Sequence, residues 1–336
     1  MSRRTVFVIA LCVVAIFLIV FGAFKIIDGF IQAKRINDEV KQQYVWHSRI
    51  EQKPYEKMTL DGKNYSYRGG LINVLLLGVD KEGEMAFTKT GERAGQSDAI
   101  YLITIDKINL TVDIVQLDRD TMTEINITGI DKKVVGTRVD HLCLSYAYGD
   151  GGSRSCEYAA AAVSNLLGGI PIDYVASLTM SAIAPLVDAI GGVTMYIETD
   201  MSDKDPALVA GQTVTLTGEQ AYTYIRARMG VDDGRNESRM KRQRAFVDAL
   251  KNTVMEKLKA DITDATAWYD AIAPYTYLDH SFDSFLSLFD QSAHCTWHET
   301  ITPEGEHDYS KTYAEFYIDK DKLDVLRAGL WYKEDK

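Results

Sequence analysis

At 336 residues the chain can hold one large domain or two modest ones, and its 46% apolar and 25% charged composition excludes wholesale disorder. The formal net charge of −11 excludes a chain-wide nucleic-acid surface, since phosphate backbones are bound by basic stripes. Four cysteines at this length exclude a disulfide scaffold, although Cys143 and Cys156, the closest pair, leave room for one bridge.

Arg3 and Arg4 precede a charge-free run, residues 5–24, that ends at Lys25. Twenty helical residues at about 1.5 Å each cover roughly 30 Å, the thickness of a bilayer core. A cleaved signal would have a shorter apolar region and a small-residue cleavage site. The exit through Gly22, Ala23 and Phe24 fits an anchor better. The sequence therefore predicts residues 1–25 as a cytoplasmic N-terminus and transmembrane helix, with the rest outside a cell membrane crossed once. Residues 26–70 are polar, sprinkled with aromatics, and are expected to form a juxtamembrane stalk.

From residue 71 short apolar runs alternate with helical patterns. Residues 71–78, 99–105 and 111–117 are expected to be strands, with a glycine-bearing loop over 80–97. A helix is predicted over 156–167, a strand over 173–178, a helix over 180–190 and a strand over 193–197. Thr217 to Gln220 have residue types suited to a first helical turn, and further helices are expected over 237–257, 263–272, 281–288 and 320–331. This alternation predicts one α/β domain over 71–333, with helices on both faces of the sheet.

Several clusters carry chemistry. Asp80 closes the first strand and Asp98 stands just before the second, where two carboxylates suit Mg²⁺, although turn residues and helix caps look the same. Asp118, Arg119 and Asp120 follow the third strand. Between Arg226 and Arg244 lie seven basic and three acidic residues, a local +4 within an acidic chain. Arginine binds phosphate oxygens bidentately, so Arg226, Arg228 and Arg239 suit a pyrophosphate, with a solvated helix face as the alternative. The apolar positions of 180–190 fit a core stripe or a lipid-lined pocket. His294, Cys295 and His298 are too crowded for the usual zinc spacings. No nucleophile elbow and no P-loop occur.

The order Asn73 to Asp80, Ser97-Asp98, Arg119 to Thr121, Tyr146 to Gly149, Leu186 to Val193, Gly218 to Ala221, Tyr224 to Arg228, and Arg239 with Arg242-Gln243 resembles the LytR-CpsA-Psr family of cell-envelope glycopolymer phosphotransferases. The resemblance implies a three-layer α/β/α fold with a central mixed sheet and a pocket for a polyprenyl chain. It implies transfer of a teichoic acid or capsule-like glycopolymer from a polyprenyl-pyrophosphate carrier to peptidoglycan, with Mg²⁺, through a phosphodiester link. By position, Asp80 and Asp98 would serve the metal, and Arg119, Arg226, Arg228, Arg239 and Gln243 the pyrophosphate. Two residues depart from the family pattern: His141 replaces a lysine, and Asn236 replaces an aspartate whose role Asp232 or Asp233 would have to fill. A non-catalytic polyprenyl-phosphate binder is the main alternative. A DNA-binding transcriptional attenuator is disfavoured by the acidic charge, and no nucleic-acid partner is expected.

The topology is testable. A cysteine at Ser48 should react with an impermeant thiol reagent in intact cells. Labelling only after lysis would overturn the outside placement.

Overall fold

A computed structural model of the chain describes residues 57–88, 94–131, 133–227, 230–231 and 233–335. The run at 5–24, most of the expected stalk, Arg228 and Asp232 lie outside these. Met58–Leu60 (β1), Lys63–Tyr67 (β2), Leu71–Val79 (β3), Ser97–Asp106 (β4) and Thr111–Leu117 (β5) come first. A hairpin of Met122–Thr128 (β6) and Val134–His141 (β7) leads to helices Leu144–Ala147 (α1) and Ser153–Leu166 (α2). Tyr174–Thr179 (β8) runs through a 3₁₀ turn into Ile183–Ile190 (α3), and Val193–Tyr196 (β9) pairs with Thr213–Leu216 (β10). Next are Gly218–Arg226 (α4), Asn236–Ala260 (α5), Asp264–Ile272 (α6), Thr276–Leu278 (β11) and Phe282–Ala293 (α7). Thr296–Trp297 (β12), the hairpin Gly305–Asp308 (β13) and Glu315–Ile318 (β14), Lys320–Trp331 (α8) and Tyr332–Glu334 (β15) complete the domain.

The main sheet is mixed, in the order β11-β8-β3-β4-β5-β12. β3 runs parallel to β8 and antiparallel to β4, which is antiparallel to β5. Side chains alternate across a strand, so β3 serves two cores. Leu75 and Leu77, fully buried, pack with Ala159, Ala162 and Val163 of α2 and Leu330 and Trp331 of α8. Val74 joins Ile105, Val112, Phe285 and Leu288 on the opposite face, under α7. Helices therefore cover both faces, as expected. Full burial of each leucine contributes about 1.5–3 kcal/mol.

The expected stalk loses its last residues to the domain. β1 and β2 form a hairpin that β15 extends, so the fold starts before residue 71. Asp61 and Gly62 both have positive φ, 51° and 75°, the two-residue turn that the Asp-Gly pair signals. Other short strands also escaped the sequence patterns, because β6–β7 and β13–β14 are ribbons with too few buried alternating positions. The helix expected over 180–190 begins instead as the 3₁₀ turn Met180–Ala182. Pro185 is accommodated in the first turn of α3, where an N–H has no helical partner.

The start of α4 is fixed twice. Thr217 and Gln220 form a reciprocal capping box, and the Gly218 N–H donates to Asp188 Oδ1 of α3 at 2.7 Å. A Cβ at Gly218 would lie 2.2 Å from the Ala184 carbonyl oxygen. Gly218→Ala should therefore displace α4 and destabilise the domain by about 1–3 kcal/mol, read from chemical denaturation. An unchanged midpoint would refute this close approach of α3 and α4.

Candidate functional site

β3 and β5 are parallel and β4 runs between them in the opposite sense. The end of β3, the start of β4 and the end of β5 therefore meet at one sheet edge. That topology brings Asp80, Asp98 and the turn Asp118 to Thr121 together. The Asp80 N–H donates to the Gln96 carbonyl at 2.8 Å, leaving its exposed carboxylate at the rim. Asp98 ion-pairs through Oδ1 with Arg119 Nη1, and through Oδ2 with Arg239 Nη1 of α5 at 3.2 Å. Arg119 also bonds Gln96 Oε1 through Nη2 at 2.6 Å and Asp120 Oδ1 through Nε at 3.2 Å. A cleft of about 860 Å³ opens here, with Asp80, Gln96, Arg119 and Asp120 on one wall and Ile130, Arg138, Tyr148 and Tyr313 among its other lining residues.

Burial works against the Arg119 cation, but the carboxylates of Asp98 and Asp120 push its proton affinity up. Burial and the Asp118 charge raise the Asp120 carboxyl, with Arg119 opposing them. Burial also pushes the Cys143 thiol up to about 12. Cys143, Cys156 and Cys295 are all free and buried, so the bridge left open by the sequence is not formed. His141, at the departure from the family lysine, lines the cleft and faces Asp140 Oδ1 at 3.0 Å and the Ala314 carbonyl at 2.9 Å.

The basic segment divides by role. Arg239 pairs with Asp98. Arg226, about half exposed, bonds the Tyr222 hydroxyl at 2.5 Å and pairs with Glu82 at 3.2 Å. Tyr222 and Ser181 hydroxyls together with the Arg226 charge hold the Glu82 carboxyl below its ordinary range. Burial and the Glu82 bond push Tyr222 up to about 12. Arg242 donates to the Tyr224 carbonyl at 3.4 Å and to that of Ala227, while Gln243 Nε2 donates to the Ile225 carbonyl at 3.5 Å. These two side chains satisfy carbonyls at the C-terminal end of α4, groups that an α-helix leaves unpaired. Of the expected residues, Asp98, Arg119 and Arg239 thus form one cluster and Asp80 shares its cleft. Arg226 and Gln243 have other partners.

The sequence did not single out Gln96, Glu82 or Tyr222 as site residues. Tyr222 had a signal, standing four residues before Arg226 on the same helical face. Exposed Asp80 offers hard oxygen donors to a divalent cation, whereas Asp98 would have to share oxygens that already meet Arg119 and Arg239. Among the described residues no group of three or more His, Cys, Asp or Glu is placed to share a metal. Two carboxylates fit a Mg²⁺ that takes its other ligands from water and substrate phosphates, and fall short of an all-protein cage.

The mixed sheet of this α/β domain sets the cluster at the ends of β3 and β5 and the start of β4. The chain belongs to the LytR_cpsA_psr family, whose model matches residues 33–330. It is 30% identical over 218 residues to the polyisoprenyl-teichoic acid–peptidoglycan teichoic acid transferase TagU of Halalkalibacterium halodurans, covering 65% of this chain and 64% of that one. It is 32% identical over 180 residues to TagU of Bacillus cereus strain ATCC 14579, covering 53% and 51%. The matches thus span between half and two thirds of those relatives. The fold is shared with a solved structure of TagT bound to LI-WTA, at TM-score 0.58 and 23% identity over 78% of this chain and 90% of that one. It is shared too with Bacillus subtilis TagV, at TM-score 0.60 and 20% identity over 78% and 96%.

Asp98 is the counter-ion of two mostly buried guanidiniums. Removing one partner of such a pair leaves uncompensated charge, so Asp98→Ala should destabilise the domain by about 3–5 kcal/mol in urea denaturation. Wild-type stability would mean that the arginines are solvated.

Proposed function

We propose that the chain transfers a glycopolymer from a polyprenyl-pyrophosphate carrier to peptidoglycan, leaving a phosphodiester link. The observation that carries this is the Arg119–Asp98–Arg239 cluster, whose Arg119 lines the cleft together with exposed Asp80. Family membership and relatives named teichoic acid transferases support it. An acceptor hydroxyl oxygen bonds to the sugar-bearing phosphorus, its bond to the bridging oxygen breaks, and polyprenyl phosphate departs with the electron pair. The hydroxyl proton is lost to solvent.

Phosphoryl transfer needs positioned cations more than covalent help. Arg119, which lines the cleft, is held ready there by Asp98 to meet the donor's phosphates, and Arg239 fixes the other oxygen of Asp98. Arg226 exchanges Glu82 and Tyr222 for phosphate, and Arg228 is proposed to join it. Asp80 and Asp98 would hold Mg²⁺ together with phosphate oxygens, and the ion would neutralise charge on the departing phosphate. Gln243 contributes by fixing the end of α4 that carries Arg226. Residues 1–25 are proposed to anchor the chain in the cell membrane, with the domain outside. Among the described residues no helix is long and apolar enough to cross a bilayer.

A non-catalytic polyprenyl-phosphate binder is the second reading, favoured by Asn236 in place of a carboxylate and by the Glu82 tie on Arg226. Transfer of labelled glycopolymer from a polyprenyl-pyrophosphate donor to peptidoglycan separates the two. Arg226→Lys keeps the charge but loses the fork, and should slow transfer at least about tenfold, roughly 1.4 kcal/mol. Asp80→Ala should abolish transfer while stability stays within about 0.5 kcal/mol, because the side chain is exposed. Full transfer in chelator or by Asp80→Ala would end the metal proposal. Co-purifying polyprenyl phosphate without transfer would favour the binder.

A further inference from the structure

Behind the phosphate cluster lies a second layer of polar side chains that the proposed transfer does not use. His307 sits on β13, its side chain only 8% exposed. Its Nε2 faces Asp118 Oδ2 at 2.9 Å and its Nδ1 faces Glu237 Oε1 at 3.2 Å. A carboxylate at each ring nitrogen is served fully only by an imidazolium, which donates from both. Asp118, 3% exposed, uses its other oxygen to accept from Asn236 Nδ2 at 3.0 Å and from the Asp120 N–H at 2.8 Å. Asn236 Oδ1 in turn accepts from Arg239 Nη2 at 2.9 Å, and Arg239 Nη1 meets Asp98 at 3.2 Å. Donor and acceptor alternate without a break from His307 to Asp98.

This chain also explains Asn236. An aspartate there would set two carboxylates about 3 Å apart, whereas the amide donates to one neighbour and accepts from the other. The hairpin that carries His307 is tied to the same turn, since the Phe316 N–H donates to the Asp120 carbonyl at 2.8 Å. The groups around the ring are Asp118 and Asp120 from the turn after β5, Glu237 from α5, and Tyr309 and Phe316 from its own hairpin. Arg235 lies beyond, over the Tyr309 ring at 4.6 Å.

We propose that His307 is a positioning residue for phosphate binding, its doubly bonded imidazolium holding Asp118 and, through Asn236, aiming Arg239. The inference rests on the phosphate-transfer function proposed above. Burial alone would lower the His307 proton affinity, but the bond to Asp118 and the charges of Asp118, Glu237 and Asp120 raise it above the ordinary value. A raised value means that the stabilising interaction is complete below about pH 6.5 and is lost as pH rises through the folded-state value. Neutral His307 has one N–H for two carboxylates, so the hold on Asp118 weakens and Arg239 loses its fixed direction.

The test titrates the purified full-length chain and its His307→Gln variant with inorganic pyrophosphate by calorimetry. Glutamine keeps a donor for Asp118 without the charge. The ratio of the two affinities at each pH cancels the ionisation of pyrophosphate itself. At about pH 6 the wild type should bind about tenfold tighter than the variant, and at about pH 9 the two should agree within about twofold. A ratio that does not change with pH would mean that His307 only braces the hairpin, and overturns the proposal. No binding by the wild type at either pH would instead overturn the transfer function, and this inference with it. A second readout does not depend on how the His307 variant folds. In Asn236→Asp the added carboxylate should raise the His307 titration seen by NMR of labelled histidines, and an unmoved titration breaks the proposed relay.

Discussion

Two guanidinium groups from distant segments, Arg119 after β5 and Arg239 on α5, would repel one another if brought together in a mostly buried site. Asp98 stands between them and gives one oxygen to each. The pairing explains why α5 lies against this sheet edge, why Arg119 points towards Gln96 rather than into solvent, and why the wall of the cleft has fixed donors. Ion pairs this far from water contribute little net stability but are costly to break, so their main effect is on geometry. Donors already held in place need no reorganisation when phosphate arrives.

What could be read from the sequence follows from how strongly each residue's surroundings constrain it. β3, β4 and β5 were legible because Leu75, Leu77, Ile100 and Leu102 must be apolar to fill the core. Once those strands were placed, their shared edge implied that Asp80, Asp98 and Arg119 would be neighbours. The segment from Arg226 to Arg244 was harder, because charge counts do not distinguish a ligand-binding guanidinium from a structural one. Arg242 caps carbonyls of α4, Arg244 bonds Thr302 at 2.8 Å, and Lys241 pairs with Glu198 at 2.7 Å. His307 gave no signal at all. Its strand reads Gly-Glu-His-Asp, which has no apolar alternation, and its partners are distant in sequence.

Asn236 shows how a departure from a family pattern can be absorbed locally. Asp118 still receives three hydrogen bonds, from the Asp120 N–H, Asn236 and His307. With an amide at 236, the charge opposite Asp118 comes from the histidine, and the region is spared a second buried carboxylate. Of the two candidate substitutes, Asp232 lies outside the described residues. Asp233, the one that is described, bonds Ser238 at 2.6 Å and the Arg235 N–H at 2.9 Å at the start of α5.

The arginines of the site therefore differ in kind. Arg119 and Arg239 are mostly buried and bound to several fixed partners, so their directions are set before any substrate arrives. Arg226 is about half exposed, and its pair with Glu82 is of the solvated sort that contributes only about 0.2–1 kcal/mol. A phosphate carrying more charge than a carboxylate can displace Glu82 at little cost. The loop bearing Glu82 also bears Asp80, and Gly83 of that loop bonds both Thr179 at the end of β8 and Ser181 just after it. Under the proposed transfer, release of Glu82 from Arg226 would thus act on the same short segment that presents Asp80.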